Sequence, residues 1–469
     1  MTYHPLPAWY DEAKLGIFVH WGVSSVPAYA PASEGFAQRV LKGEIGFGSS
    51  PYAEWYQNSL RIPGSPVRLH HDAAYGADFG YERFGPLFNE QMRKWDPDSW
   101  AGLFARAGAR YAVLVAKHHD GFLMWNSSRP NPRIPGWMAS RDVPGELSRA
   151  LGARGIRLGL YYSSLLDWSF STSPVTSLAE LVAGSDASRE YASYVEDHWL
   201  ELIERYDPWI LWSDIGCPPG FRTAGLFARY YNRKPEGVVN DRWMQLPRFF
   251  FNRTGRFILA KLLGRMKGAE PPRPAHCDFV TPEYAALDHI GPRKWETCRG
   301  IGNSFGYNRM EAAGDYLKAD ELVRLLADIV SKNGNLLLNV GPCPDGSIHP
   351  SQVEALEGMG SWLRDNGEAI YGTRPWVRFS DSAEGGTELR YTSKGGALYA
   401  IVTRMPANGL VPLPREAGAA AAAAGGLTLL GTGERLRVEG AAGKTLAVLP
   451  HGLREGSIPT IKIAGAVSR

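Results

Sequence analysis

The sequence predicts a (β/α)8-like barrel followed by a small C-terminal β-sandwich, and three observations carry that prediction. Short apolar, β-rich runs recur between segments of helical spacing up to residue 373. Most of those runs end in polar or aromatic residues, as barrel strands do where they meet their active-site loops. After Trp376 helical periodicity stops, and period-two stretches alternate with glycine-rich turns.

The predicted strands run, in order, over Leu15–Val19, Tyr111–Val115, Ile156–Tyr162, Trp209–Trp212, Gly237–Val239, Phe279–Val280 and Leu336–Val340. Between them Asp98–Ala107 and Asp320–Ser331 read as helices. In the second, Leu322, Leu325, Leu326 and Ile329 form one apolar stripe, and Asp320 is the expected N-cap. A barrel over 1–373 and a sandwich over 374–469 are expected, the break falling between Tyr371 and Val377. Within the second region Glu388–Thr392 and Ala397–Thr403 alternate as strands, and the Ala/Gly-rich stretch Ala417–Gly426 reads as a mobile surface loop. Pro247–Pro274 carries Arg248, Arg253, Arg256, Lys261, Arg265, Lys267 and Arg273 against one acid, Glu270. Phe257, Ile258, Leu262 and Leu263 there make an amphipathic helix, read as an active-site flap or solvated insertion in preference to a membrane-surface or partner contact.

Composition narrows the function. A formal net charge of +3 on 469 residues gives no reason to invoke nucleic acid. The four cysteines, Cys217, Cys277, Cys298 and Cys343, lie far apart and match neither a disulfide framework nor a CxxC zinc pattern, so they read as free thiols. No run approaches the roughly 18 apolar residues of a spanning helix, and Met1–Tyr10 lacks a signal-type apolar region, so a cytoplasmic location is expected.

The chemistry gathers at strand ends. Ala-Lys-His-His-Asp-Gly-Phe-Leu-Met, from Ala116 to Met124, delivers a cation, two imidazoles and a carboxylate together. The same face collects His20 and Trp21, Tyr161 and Tyr162, Trp212 and Asp214, Asn240 to Trp243, and Glu283. There is no glycine-rich phosphate cradle, no HExxH and no nucleophile elbow. Carboxylates beside His, Arg and Asn donors and Trp and Tyr faces suit a sugar, whose hydroxyls need directional partners and whose apolar face packs on aromatics.

Ten ordered segments go further. They are AKLGIFVHWGVSSVPA (Ala13–Ala28), EWY (Glu54–Tyr56), YAVLVAKHHDGFLMW (Tyr111–Trp125), LGLYYSSLLDW (Leu158–Trp168), LWSD (Leu211–Asp214), VVNDRW (Val238–Trp243), TPEY (Thr281–Tyr284), WETCRGIGNSFGYNR (Trp295–Arg309), NGNLLLNVGPCPDG (Asn333–Gly346) and NGEAIYGTRPW (Asn366–Trp376). With them the chain resembles the α-L-fucosidases of glycoside hydrolase family twenty-nine from about residue 8 to 376; the C-terminal region matches only in general character.

The resemblance implies retaining, exo-acting hydrolysis of terminal α-L-fucosides on an oligosaccharide or glycoconjugate, through a covalent fucosyl-enzyme intermediate and without a cofactor. It implies Asp214 as nucleophile and Glu283 as acid/base, with Glu296 in WETC as the rival acid. Retention calls for carboxyl groups roughly 5 to 5.5 Å apart. Asp214 must be ionised to attack, and Arg242 is the cation expected to favour that form. His20, Glu54, Trp55, His118, His119, Tyr161 and Trp212 fall where the family holds the fucose ring. Tyr161 and Tyr162 alternate in facing, so one lines the site and the other packs outward, and Tyr161 is preferred. Lys117 and Asp120 orient neighbours, and Asn335 and Asn339 brace the last strand. Glu296 is alternatively read as holding the barrel rim.

Ile215 follows Asp214 where many relatives have glycine, which alters the loop. The insertion before Cys277 and the segment from Gly64 to Gly80 are expected over the rim that receives the next sugar. The other readings are an α-glycosidase acting on galactosides or another deoxy-sugar, a lapsed fucose-binding protein, and a metal-dependent hydrolase using His20, His118 and His119. No metal is expected.

Overall fold

Seven parallel strands build the first sheet of the computed structural model, which describes residues 4–32, 46–265, 274–383, 386–418, 420, 426–441, 444–454 and 456–467. They are β1 (Leu15–Val19), β2 (Tyr111–Lys117), β3 (Arg157–Ser163), β4 (Ile210–Asp214), β5 (Val238–Val239), β6 (Trp295–Gly300) and β7 (Gly334–Val340), ordered β5-β4-β3-β2-β1-β7-β6. Nearly every residue of these strands is buried, because one face meets the barrel interior and the other the helices. Gly16 is required at its place on β1: any Cβ there would collide with the ring of Tyr111.

The gap between β5 and β6 is bridged by residues 278–283. Phe279–Val280, expected as a strand, lies in an irregular segment joined by isolated bridges. Asp278 N–H bonds Val239 O at 2.9 Å, Glu296 N–H bonds Val280 O at 2.8 Å, and Cys298 N–H bonds Pro282 O at 3.2 Å. Pro282 can offer no N–H of its own, so the ladder breaks into single bridges where a regular strand would run on. The sheet thereby curls into a barrel whose eighth place is this short segment.

The described α-helices are α1 (Ala8–Ala13), α2 (Tyr56–Leu60), α3 (Pro66–Tyr75), α4 (Phe84–Gln91), α5 (Pro97–Arg106), α6 (Val143–Gly152), α7 (Leu178–Ala183), α8 (Arg189–Tyr206), α9 (Thr223–Arg233), α10 (Arg253–Arg265), α11 (Ala319–Ser331) and α12 (Pro350–Asn366). The expectation of Asp320 as N-cap is corrected. Lys318 precedes α11, its N–H is taken by Glu321 Oε2 at 2.8 Å, and Asp320 sits inside the first turn paired with Arg324. A first-turn carboxylate there serves the helix dipole rather than the cap. None of the helices among the described residues is long and apolar enough to cross a membrane.

Beyond α12 the described chain is antiparallel. One sheet holds β8 (Arg374–Ala383), β9 (Thr387–Lys394), β10 (Ala397–Arg404), β12 (Leu427–Leu429) and β15 (Thr460–Ile463). The other holds β11 (Leu410–Pro412), β13 (Arg437–Ala441) and β14 (Lys444–Val448). Tyr391, Leu398 and Val402 from the first sheet share a core with Val411 and Ala447 of the second, which makes the pair a sandwich. It is moored to the barrel helices by Arg390 on Asp328, Trp362 Nε1–H on Ile458 O and Arg324 Nε–H on Thr403 O. Most of Ala417–Gly426, expected to be a mobile loop, lies outside the described residues, though Ala417 itself is buried.

Candidate active site

At the carboxyl ends of the strands a cavity of about 260 Å³ is lined by His20, Glu54, Trp55, His118, His119, Tyr161, Trp212, Asp214, Arg242 and Glu283, together with Phe18, Phe47, Tyr52, Leu178, Leu181, Ile215 and Phe305. Ten of the eleven residues singled out from sequence therefore meet in one place. The exception is Glu296.

Asp214 closes β4. Its Oδ1 accepts from Arg242 Nη1–H at 2.8 Å and from Ile215 N–H at 2.9 Å, and its Oδ2 accepts from Tyr161 O–H at 2.7 Å. The register explains the last bond: Tyr161 of β3 pairs with Trp212 of β4, so both turn inward with Asp214 just above. Tyr162 turns outward onto His198.

Glu283 arrives on the irregular eighth segment, held by a clamp. Thr281 donates its N–H and its hydroxyl to Asp241, and accepts from Arg242 Nε–H on its own Oγ1. Arg242 Nη2–H bonds Thr281 O, and Nη1 reaches Glu283 Oε1 at 3.4 Å. One guanidinium nitrogen thus touches both carboxylates, and the sum of its two contacts, 6.2 Å, is the largest separation those two oxygens can have. Burial among the cavity walls raises the Glu283 pKa; Arg242 opposes that rise and the charge of Asp214 adds to it.

Each carboxylate is followed at once by a left-handed residue that is not glycine, Ile215 at φ 62° and Tyr284 at φ 46°. For a β-branched residue such a backbone is an outlier, and the strain belongs to the turn that ends the strand beneath the acid.

The histidines are fixed as acceptors. Asn339 donates Nδ2–H to Phe305 O, so its Oδ1 must accept from His20 Nδ1–H at 2.6 Å, leaving the Nε2 lone pair of His20 to the cavity. Ser163 gives its hydroxyl proton to Leu166 O and so accepts from His119 Nδ1–H; His119 Nε2 stands 3.9 Å from Asp214 Oδ2. Burial pushes the His20 pKa down to about 4 and holds both His118 and His119 well below the usual imidazole range, so all three are neutral. Glu54 is pushed up to about 7 by burial, against the Gly306 N–H that its Oε2 accepts at 2.7 Å. Among the described residues the one group of three potential metal ligands whose donor atoms converge within 4.8 Å is His4, His276 and Asp278, elsewhere in the barrel.

Glu296, expected either as acid or at the rim, lies outside the cavity lining. It is the second residue of β6, wholly buried toward the amino-terminal ends of the strands. Tyr10 and Tyr111 donate to its Oε2 and Trp212 Nε1–H to its Oε1. It props Trp212 from beneath. Burial pushes its pKa up to about 7 against those three bonds. A raised carboxyl stabilises the fold fully below the unfolded value near 4.5, and that contribution is lost as pH rises through about 7. Glu54 acts with the same sign, so Tm is expected to fall between pH 5 and 8. In Glu296→Gln a thermal scan across that range should show a shallower slope, each pKa unit removed being worth about 1.4 kcal/mol; an unchanged slope would refute the assignment.

Neither Lys117 nor Asp120 lines that cavity. Lys117, at the end of β2, pairs at 3.0 Å with Asp167, both side chains being wholly buried, and Asp120 accepts from Tyr81. Asp167 also takes the N–H of Ser169, pinning the loop that carries Trp168 against Trp55 and His119. Asp167→Ala leaves a buried ammonium unpaired and should cost about 3 to 5 kcal/mol in urea unfolding. A loss under 1 kcal/mol would mean the pair is dispensable.

The rim differs from the expectation. The segment from Gly64 to Gly80 contains α3 and does not line the cavity, and neither does α10 of the basic insertion. Leu178 and Leu181 of α7 stand there instead, and α10 packs behind α7 with Phe257 and Leu262 still exposed. The signal for α7 was present in sequence: Ser177 accepts from Glu180 N–H, and Glu180 takes Thr176 N–H, a Ser-x-x-Glu capping pattern just ahead of an apolar pair.

A sequence model of the family described as Alpha-L-fucosidase matches residues 1–368. The tissue alpha-L-fucosidase of Homo sapiens is 36% identical over 424 residues, which cover 87% of this chain and 78% of that protein. The solved structure of Thermotoga maritima alpha-fucosidase in complex with fucose is 37% identical with a TM-score of 0.81, covering 98% of this chain and 97% of that one. Another solved alpha-L-fucosidase, 38% identical, superposes with a TM-score of 0.84 over the same shares of both chains.

Proposed function

The chain belongs to the alpha-L-fucosidase family, and from that premise we propose that it hydrolyses terminal α-L-fucosides with retention of configuration, through a covalent fucosyl-enzyme intermediate. The observation that carries this reading is the single Arg242 nitrogen shared by Asp214 and Glu283. It holds their facing oxygens below the roughly 6.5 to 9.5 Å that an inverting pair needs to admit a water.

In the first step an Asp214 oxygen attacks the anomeric carbon while Glu283 gives its proton to the departing glycosidic oxygen. In the second, Glu283 takes a proton from water as that water attacks the same carbon and frees Asp214. The raised pKa of Glu283 suits the first step and the neighbouring guanidinium the second, since it steadies the ionised form. Fucose brings hydroxyl protons to the Nε2 lone pairs of His20 and His119, and its apolar face to Trp212 and Phe305. Complexation of the Thermotoga maritima relative with fucose favours the same ligand here.

Proton NMR of the first minutes of hydrolysis tests retention directly. α-L-Fucose should appear first and mutarotate afterwards. Initial release of the β anomer would overturn the double displacement.

A further inference from the structure

We propose that His4, His276 and Asp278, at the amino-terminal end of the barrel, bind one zinc-type divalent ion that ties the N-terminal segment to the segment carrying Glu283. The ligand atoms His4 Nδ1, His276 Nε2 and an Asp278 oxygen lie within 4.8 Å of one another. Asp278 Oδ1 is 2.8 Å from His4 Nδ1 and 3.7 Å from His276 Nε2. Three ligands on bonds of about 2.0 to 2.1 Å in a tetrahedron stand roughly 3.3 Å apart, so the first spacing must open and the second close by about half an ångström, with the fourth position left to water.

The surroundings are those of a ligand set. Asp278 turns Oδ2 away, to accept from Val239 N–H and Tyr231 O–H, both at 2.7 Å, and so aims Oδ1 at the two imidazoles. Tyr231, having given its proton to Asp278, accepts from His276 Nε2–H at 2.8 Å, a bond that an ion at this nitrogen replaces. His4 donates Nε2–H to Pro235 O at 2.9 Å. A carbonyl can only accept, so a neutral His4 presents its Nδ1 lone pair to a carboxylate oxygen. Two lone pairs at that distance need a positive centre between them, and the carbonyl-anchored imidazole with an oriented carboxylate is the outer shell that metal ligands carry. The Asp278 side chain is 1% exposed while those of His4 and His276 keep 15% and 22%, so solvent reaches the imidazoles and the carboxylate stays within. Among the described residues no lysine or arginine pairs with Asp278. Two imidazoles and one carboxylate favour zinc, nickel or copper over magnesium or calcium.

The site is remote from the chemistry. Five residues of near-extended chain, roughly 15 Å, separate Asp278 from Glu283. A bound ion should therefore raise stability and leave turnover unchanged.

The test uses the full chain, stripped with chelator and dialysed against zinc chloride. Wild type should retain about one zinc per chain by plasma mass spectrometry and gain roughly 3 to 5 °C in Tm at a hundredfold excess over Kd. His276→Ala and His4→Ala should each lose that zinc and that gain while keeping kcat. No retained zinc in the wild type, or equal retention by both variants, overturns the proposal. A Tm that ignores zinc overturns it as well.

Discussion

Asp214→Gly is expected to lower kcat by on the order of 10⁴ or more, the scale seen when a covalent nucleophile is deleted. The fold should survive, because Arg242 keeps Thr281 and Glu283 as partners when the carboxylate leaves. The space vacated lies above Tyr161 and opens onto the cavity, so a small anion can enter it. Azide should restore turnover of an aryl fucoside and yield a glycosyl azide of inverted configuration, since it attacks from the side that Asp214 occupied. NMR of that product checks the claim. Near-normal activity in the variant, or rescue that gives the retained azide, places the nucleophile elsewhere.

Glu283→Gln is expected to cost about 10² to 10⁴ in kcat/KM on natural fucosides, whose alkoxide leaving groups need a proton. Aryl fucosides with good leaving groups should keep most of the first step and stall at the second, giving a burst of phenol followed by a slow steady state. The alkaline limb of the wild-type profile, set by Glu283 losing its proton, should vanish for those substrates. Equal losses on both classes would point to Glu54, which is the remaining carboxyl on the cavity wall and is pushed up to about 7. Glu296 no longer competes, since two phenols and an indole enclose it.

Much of this site was legible because a barrel strand repeats every two residues and ends where the chemistry begins. That rule puts Trp212 and Asp214 at a strand end and only one of Tyr161 and Tyr162 inside, while the choice of Tyr161 leaned on the resemblance; the register bears it out. It fails for the eighth strand, where Pro282 removes a ladder donor and 278–283 owes its course to the clamp of Asp241, Thr281 and Arg242. Depth along a strand was equally hidden. Glu296 reads as polar and therefore as a rim residue, yet it sits one residue into β6, where Tyr10 from α1 and Tyr111 from β2 satisfy it. Those partners lie 286 and 185 residues away, and no local pattern announces them. The rim itself was misplaced because α7 is a six-residue helix whose capping signal is short, while the longer basic insertion drew attention from behind it.

The tethering of His20 by Asn339 and of His119 by Ser163 has a further consequence. Both rings can only receive, so the pocket reads the direction of each hydrogen on its guest as well as the presence of oxygen. A fluorine in place of a hydroxyl keeps the size and polarity of the bond but has nothing to hand over, and it would face a lone pair with its own. Deoxyfluoro sugars should therefore bind worse than the plain deoxy compounds at those positions, the reverse of what a donor-lined cleft would do.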